Sequence, residues 1–114
     1  VVELVSAPKP DNDELVRNKA HYLGSAYLLL GNAYINTNAF PAADKALRSA
    51  LPYLKGTGQT EAAVLFYLGW SNYHLERYKE AAGFFKACLP HGGAYAEQAT
   101  RNLTAMRNER RITE

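Results

Sequence analysis

Residues 27–52 read YLLLGNAYINTNAFPAADKALRSALP and residues 65–90 read LFYLGWSNYHLERYKEAAGFFKACLP; laid over one another, the two stretches carry the same size classes in the same order. Gly31 aligns with Gly69, Phe40 with Tyr78, Ala43 with Ala81, Leu47 with Phe85, Ala50 with Cys88 and Pro52 with Pro90. Ahead of the glycines, Tyr27 aligns with Leu65 and Leu30 with Leu68. Few of these pairs are identical. Large residues nevertheless match large and small match small, the signature of a repeated packing geometry rather than a repeated chemistry. The spacings are helical, and a turn-forming break falls inside each copy, so each stretch predicts a helix hairpin.

Working outward, the apolar series Leu15, Tyr22, Leu23, Ala26, Tyr27, Leu30 and Tyr34 keeps a helical period upstream of the first copy. It predicts one long helix from about residue 11 to 36, with capping and negative charge supplied by Asp11, Asn12, Asp13 and Glu14. Asn36, Thr37 and Asn38 make the turn, and Pro41 suits the first turn of a second helix. Pro52 is expected to end or bend that helix, before a Gly-rich loop at 55–59. Thr60 is expected to cap a third helix running to about residue 75, followed by a fourth to about residue 89. Pro90, Gly92 and Gly93 break the chain again. A last helix is predicted from about Ala94, with Arg107, Arg110 and Arg111 in its final turns.

The order of large, small, aromatic and small positions resembles the tetratricopeptide repeat, a helix hairpin that recurs about every 34 residues. The residues that carry it are Tyr27, Leu30, Gly31, Tyr34, Phe40, Ala43, Leu47 and Ala50, then Leu65, Leu68, Gly69, Tyr78, Ala81, Phe85 and Cys88. Asn72 stands where that family usually has an aromatic residue, and the loop at 55–59 absorbs extra spacing between copies. The resemblance implies an all-α fold of about five helices, antiparallel hairpins stacked as a right-handed solenoid. Residues 1–10 form an extended lead-in and 11–114 one domain, with a first repeat at about 24–59, a second at about 62–93 and a C-terminal half repeat or capping helix at about 94–112. Hairpins of this kind have too little surface to bury their own apolar face and must stack on a neighbour.

Composition fits one soluble globular unit: 114 residues, 47% hydrophobic and 21% charged. A net charge of +2 gives no bulk argument for a polyanion partner. The basic cluster Arg101, Arg107, Arg110 and Arg111 has no interleaved aromatic for base stacking, which makes nucleic acid a poor partner. No apolar run approaches the length of a membrane span. The chain opens on valine, so it is expected to be a processed form or a segment of a longer protein. Nothing in the sequence names a compartment.

Chemistry is thinly represented. His21, His74 and His91 lie far apart and match no metal-ligand spacing, so neither a metal nor another cofactor is expected. The single cysteine, Cys88, takes a small-residue position on a buried face. No nucleophile, acid and base converge, and no catalytic residue is assigned.

The candidate site is a second stripe. Phe66, Trp70 and Tyr73 recur on the third helix about 100° from the hairpin-facing residues, with Leu28, Asn32 and Ile35 in the equivalent places on the first. In the family this resembles, that stripe lines the concave side. The resemblance therefore implies a groove lined by Leu28, Asn32, Ile35, Phe66, Trp70, Tyr73 and His74, with Arg101 near its end. Aromatic anchors of this kind suit a protein or peptide partner. The family's clamp for acidic C-terminal tails would fall on Leu28, Asn32, Tyr67, Gln98 and Asn102, of which only Asn32 is of the right type, so that ligand is not expected. Cover from a homodimer, from the lead-in or from the rest of a longer parent chain stays open as an alternative.

Overall fold

The computed structural model describes the backbone of residues 12–112 and the side chains of residues 17–112. The lead-in read at residues 1–10 and the cap at Asp11 lie outside the described residues. Five α-helices account for nearly all of it: α1 Asn12–Asn36, α2 Phe40–Leu54, α3 Gln59–His74, α4 Tyr78–Cys88 and α5 Gly93–Asn108, with a single 3₁₀ turn at Leu89–His91. Among the described residues there is no strand, and the fold is all-α. No described helix is long and apolar enough to cross a membrane.

The aligned glycines mark close helix approaches. A Cβ at Gly31 would lie 2.5 Å from Leu47 Cγ, and one at Gly69 would lie 2.6 Å from Phe85 Cε1. Both contacts join residues sixteen apart, so the repeat in sequence is a repeat in geometry. Gly24 extends the first contact line, with Leu54 Cγ 2.7 Å from its notional Cβ. The pairing of Gly31 with Leu47 and of Gly24 with Leu54 makes α1 and α2 antiparallel. Leu47, Leu54 and Phe85 are fully buried, and each contributes about 1.5–3 kcal/mol relative to exposure.

The turns repeat as well. Asn38, Glu76 and Arg110 all take positive φ, near 60°. In each case the following N–H reaches back to the same carbonyl of the last helical turn: Ala39 to Tyr34 at 2.8 Å, Arg77 to Asn72 at 2.9 Å and Arg111 to Met106 at 2.8 Å. The αL residue closes the orphan carbonyls of the helix end. Helices α1, α3 and α5 thus terminate alike, which relates α5 to the opening helix of each hairpin.

Two buried clusters form the interior. The first joins Ala43, Leu47, Ala50 and Leu54 of α2 to Val64 and Leu68 of α3. The second joins α3 to α4 and α5 through Phe66, Phe85, Cys88, Leu103 and Met106 among others. Leu51, Tyr67 and Phe84 pack against both. A polar tie crosses between hairpins. Arg48 Nε donates to both carboxylate oxygens of buried Asp44 at 2.9 and 3.0 Å, and Asn72 Nδ2 donates to Asp44 Oδ1 at 2.9 Å. Arg48 also reaches Glu80 at 3.0 Å, and Arg77 lies 3.6 Å from Asp44. Asn72, the departure from the aromatic pattern, is fully buried in this tie.

Helix α2 runs through Pro52 to Leu54, slightly beyond Leu51, and the buried Leu54 is held in the core against Gly24. Several expectations are corrected. The residue before α3 is Gly58 at φ 66°, not Thr60, and no side chain caps that helix. Helix α5 stops at Asn108, so Arg110 and Arg111 lie beyond it. Tyr22, Leu23, Ala26 and Leu30 keep a helical period but are exposed. Leu30 is 44% exposed whereas its counterpart Leu68 is fully buried. Leu68 has α2 of the first hairpin packed over it, and no described element covers Leu30.

Candidate functional site

Trp70 and Tyr73 stand on the side of α3 that faces α5, one helical turn apart. With Asn102 and Ala105 of α5 they line a depression of about 220 Å³. Both aromatic rings are half-buried, so each offers one face while the other is supported. The support is aromatic throughout. Trp70 stacks with Phe66 and with Tyr73 at centroid distances of 6.4 Å, and meets His74 edge-on at 4.6 Å.

Tyr73 is fixed at its polar end. Its hydroxyl donates to Glu109 at 3.2 Å, and its ring meets Tyr78 edge-on at 5.6 Å. Burial, and then the hydrogen bond to Glu109, raises its phenol above the ordinary value of 10.0. Arg111 closes the arrangement from beyond α5, its guanidinium 4.8 Å from the Tyr78 ring centroid. The segment after α5 therefore holds the floor of the depression in place.

His74 stacks on Phe40 at 4.4 Å with the rings nearly parallel, while Trp70 covers its edge. Desolvation there lowers its pKa below 6.5. This favours the neutral imidazole, which enters the surface as a polar aromatic group.

The other residues of the predicted stripe divide. Phe66 is only 7% exposed and belongs to the second buried cluster, enclosed by Phe85 at 5.7 Å and Tyr95 at 5.8 Å. It supports Trp70 from beneath and offers no face of its own. Leu28 and Ile35 are half-buried against the first cluster, and Asn32 is half-buried beside them. None of these three lines the depression at Trp70. Arg101 is exposed on α5, one residue before Asn102. The site is thus concentrated on Trp70, Tyr73 and His74, with Asn102 and Ala105 added by α5. The resemblance singles out Asn102 only as a clamp position of the wrong type, and the sequence offers no signal for Ala105 beyond its place on the last helix.

A larger cleft, which shares no lining residue with the depression at Trp70, opens among α2, α3 and α4. It has a volume of about 620 Å³ and walls that include Leu51, Leu65, Phe84 and Ala87. Most of its rim charges are spent internally: Arg48 on Asp44 and Glu80, and Glu61 on the Gly56 N–H at 3.0 Å and on His91 at 3.6 Å. Cys88 lies under this region, fully buried, its S–H directed to the Ala62 carbonyl at 3.5 Å. Burial pushes its thiol pKa up. Among the described residues no group of three or more His, Cys, Asp or Glu converges on a common point.

Comparison of the chain with protein-family models, curated proteins and solved structures found no match.

Proposed function

We propose that this chain is a tetratricopeptide-like interaction module that binds a protein or peptide through the aromatic face of its first-position helices and performs no chemistry of its own. The observation that carries the reading is the supported, half-open pair Trp70 and Tyr73 over the α3–α5 depression. Large rings packed against aromatic neighbours bring contact area to an interface at little entropic cost. The repeated glycine contacts and the common turn that ends α1, α3 and α5 support the stacked-hairpin part of the reading. In it, Trp70 and Tyr73 are the anchors, Asn102 and His74 orient the ligand backbone, and Phe66 sets the height of Trp70.

Peptide-display selection on the full chain tests it, with Trp70→Ala as the counter-selected form. Selected peptides should change the emission of Trp70, the only tryptophan, and should bind Trp70→Ala at least about thirty-fold more weakly, as loss of an interface anchor does. Peptides that bind both forms equally, or a selection that enriches nothing, would remove the site from consideration.

A further inference from the structure

The exposed side of α1 carries a pattern that none of the foregoing uses. On the flank away from Gly24 and Gly31 stand Tyr22, Ala26, Leu29 and Ala33, spaced four, three and four residues apart. This is the seam spacing by which one helix packs along another. Tyr22 is 73% exposed and Leu29 71%, and the adjoining Leu23 and Leu30 are 37% and 44% exposed. The opposite end of the molecule is different, for the outward residues Glu97, Arg101 and Thr104 of α5 are polar and exposed.

We propose that this face of α1 is a self-association surface, on which a second copy of the chain packs its own α1 antiparallel about a two-fold axis lying between Ala26 and Leu29. The spacing reads the same in both directions, so reversal lays the seam back on itself. Tyr22 then meets Ala33 of the second copy, and Ala26 meets Leu29. Every large side chain faces a small one, the arrangement that fills space without strain. Leu23 and Leu30 flank the seam on one side and meet Leu30 and Leu23 of the second copy. A parallel pair would set Tyr22 on Tyr22 and Ala26 on Ala26, crowding one layer and leaving a gap in the next. The polar α5 end gives the apolar seam no complementary surface, so head-to-tail stacking is disfavoured. The isologous contact closes at two copies.

The seam covers about three turns, a short contact beside the roughly 800 Å² per partner of a standard stable interface, so the dimer is a weak one that forms at high concentration. This inference does not depend on the aromatic depression of α3 and α5.

Sedimentation equilibrium of the full chain from about 5 to 500 µM reads the mass rising from 12.6 kDa toward twice that value. Leu29→Glu should hold it at the monomer mass throughout, and because Leu29 is exposed the variant keeps its helical circular dichroism. The orientation is read by exchanging the central pair. Ala26→Leu and Leu29→Ala should each weaken the dimer by about ten-fold or more, while the double variant, which restores a large residue opposite a small one, should recover it to within about three-fold. A wild-type chain that stays monomeric at every concentration means that another segment covers this face or none does, and overturns the proposal. So does a dimer that Leu29→Glu leaves intact. A double variant no better than the two singles overturns the antiparallel register.

Discussion

Gly69→Ala adds one methyl group where α3 and α4 approach closely, and the structure sets its cost. The new Cβ would lie 2.6 Å from Cε1, 2.7 Å from Cδ1 and 3.0 Å from Cγ of Phe85, whereas carbon atoms rest near 3.5–4.0 Å. The ring would have to retreat by most of an ångström. Phe85 is fully buried, and the Phe66 ring stands 5.7 Å away, so there is no space behind it. Overpacking of this kind costs about 1–3 kcal/mol, and replacing a mid-helix glycine by alanine offsets about 0.8–1.0 kcal/mol of it. The two ranges leave a net loss of about 0–2 kcal/mol, and a ring with no room to retreat puts it in the upper half, about 1–2 kcal/mol, which for a domain of this size lowers Tm by about 5–15 °C. Gly83→Ala is the matched control, since Gly83 sits within α4 with no atom within 4 Å of its notional Cβ. There only the helix preference acts, and a gain of about 0.5–1 kcal/mol is expected. Urea titrations followed by far-UV circular dichroism read both variants. Gly69→Ala as stable as wild type, or Gly83→Ala equally damaging, would refute the argument from close approach.

Asp44→Ala should cost about 1–3 kcal/mol in the same titration: Arg48 and Arg77 are exposed enough to rehydrate, while buried Asn72 loses one of its two acceptors and keeps the Leu68 carbonyl at 2.8 Å. A loss below about 0.5 kcal/mol would mean that the tie contributes nothing beyond a surface ion pair. Cys88 should resist iodoacetamide in the native chain at about pH 8 and react fully in denaturant, because burial both shields the sulfur and raises its pKa above the usual thiol value. Rapid native alkylation would place Cys88 outside the core.

The interior was legible because it is local in its logic. Gly31 with Leu47 and Gly69 with Phe85 are contacts within hairpins, and aligning the two copies picks out all four residues before any helix is placed. What escaped the sequence depends on which hairpin lies over which. Phe66 shares a helical face with Trp70, and only the positions of Tyr95 and Phe85 decide that one is enclosed and the other half-open. Leu30 and Leu68 are equivalent by repeat, yet one is exposed and the other buried, because α2 covers Leu68 on α3 and no described element covers Leu30 on α1. Asn72 breaks the aromatic pattern, and its partner Asp44 is 28 residues away on another helix. No short-range spacing could signal that pairing. Pro52 lies inside α2 rather than at its end: local propensity opposes a helix there, while the buried Leu54 beyond it holds the chain in register.

Leu51, Tyr67 and Phe84 touch both buried clusters, and this sharing changes how the molecule opens. In an array of independent hairpins each unit can come apart alone, and amide hydrogens exchange with solvent unit by unit. Here, withdrawing α2 uncovers Tyr67 and Phe84, and withdrawing α4 uncovers Leu51. The central amides of α2, α3 and α4 are therefore released together by one large opening. The turns of α1 ahead of Gly24, whose described side chains are mostly exposed, fray separately and exchange first.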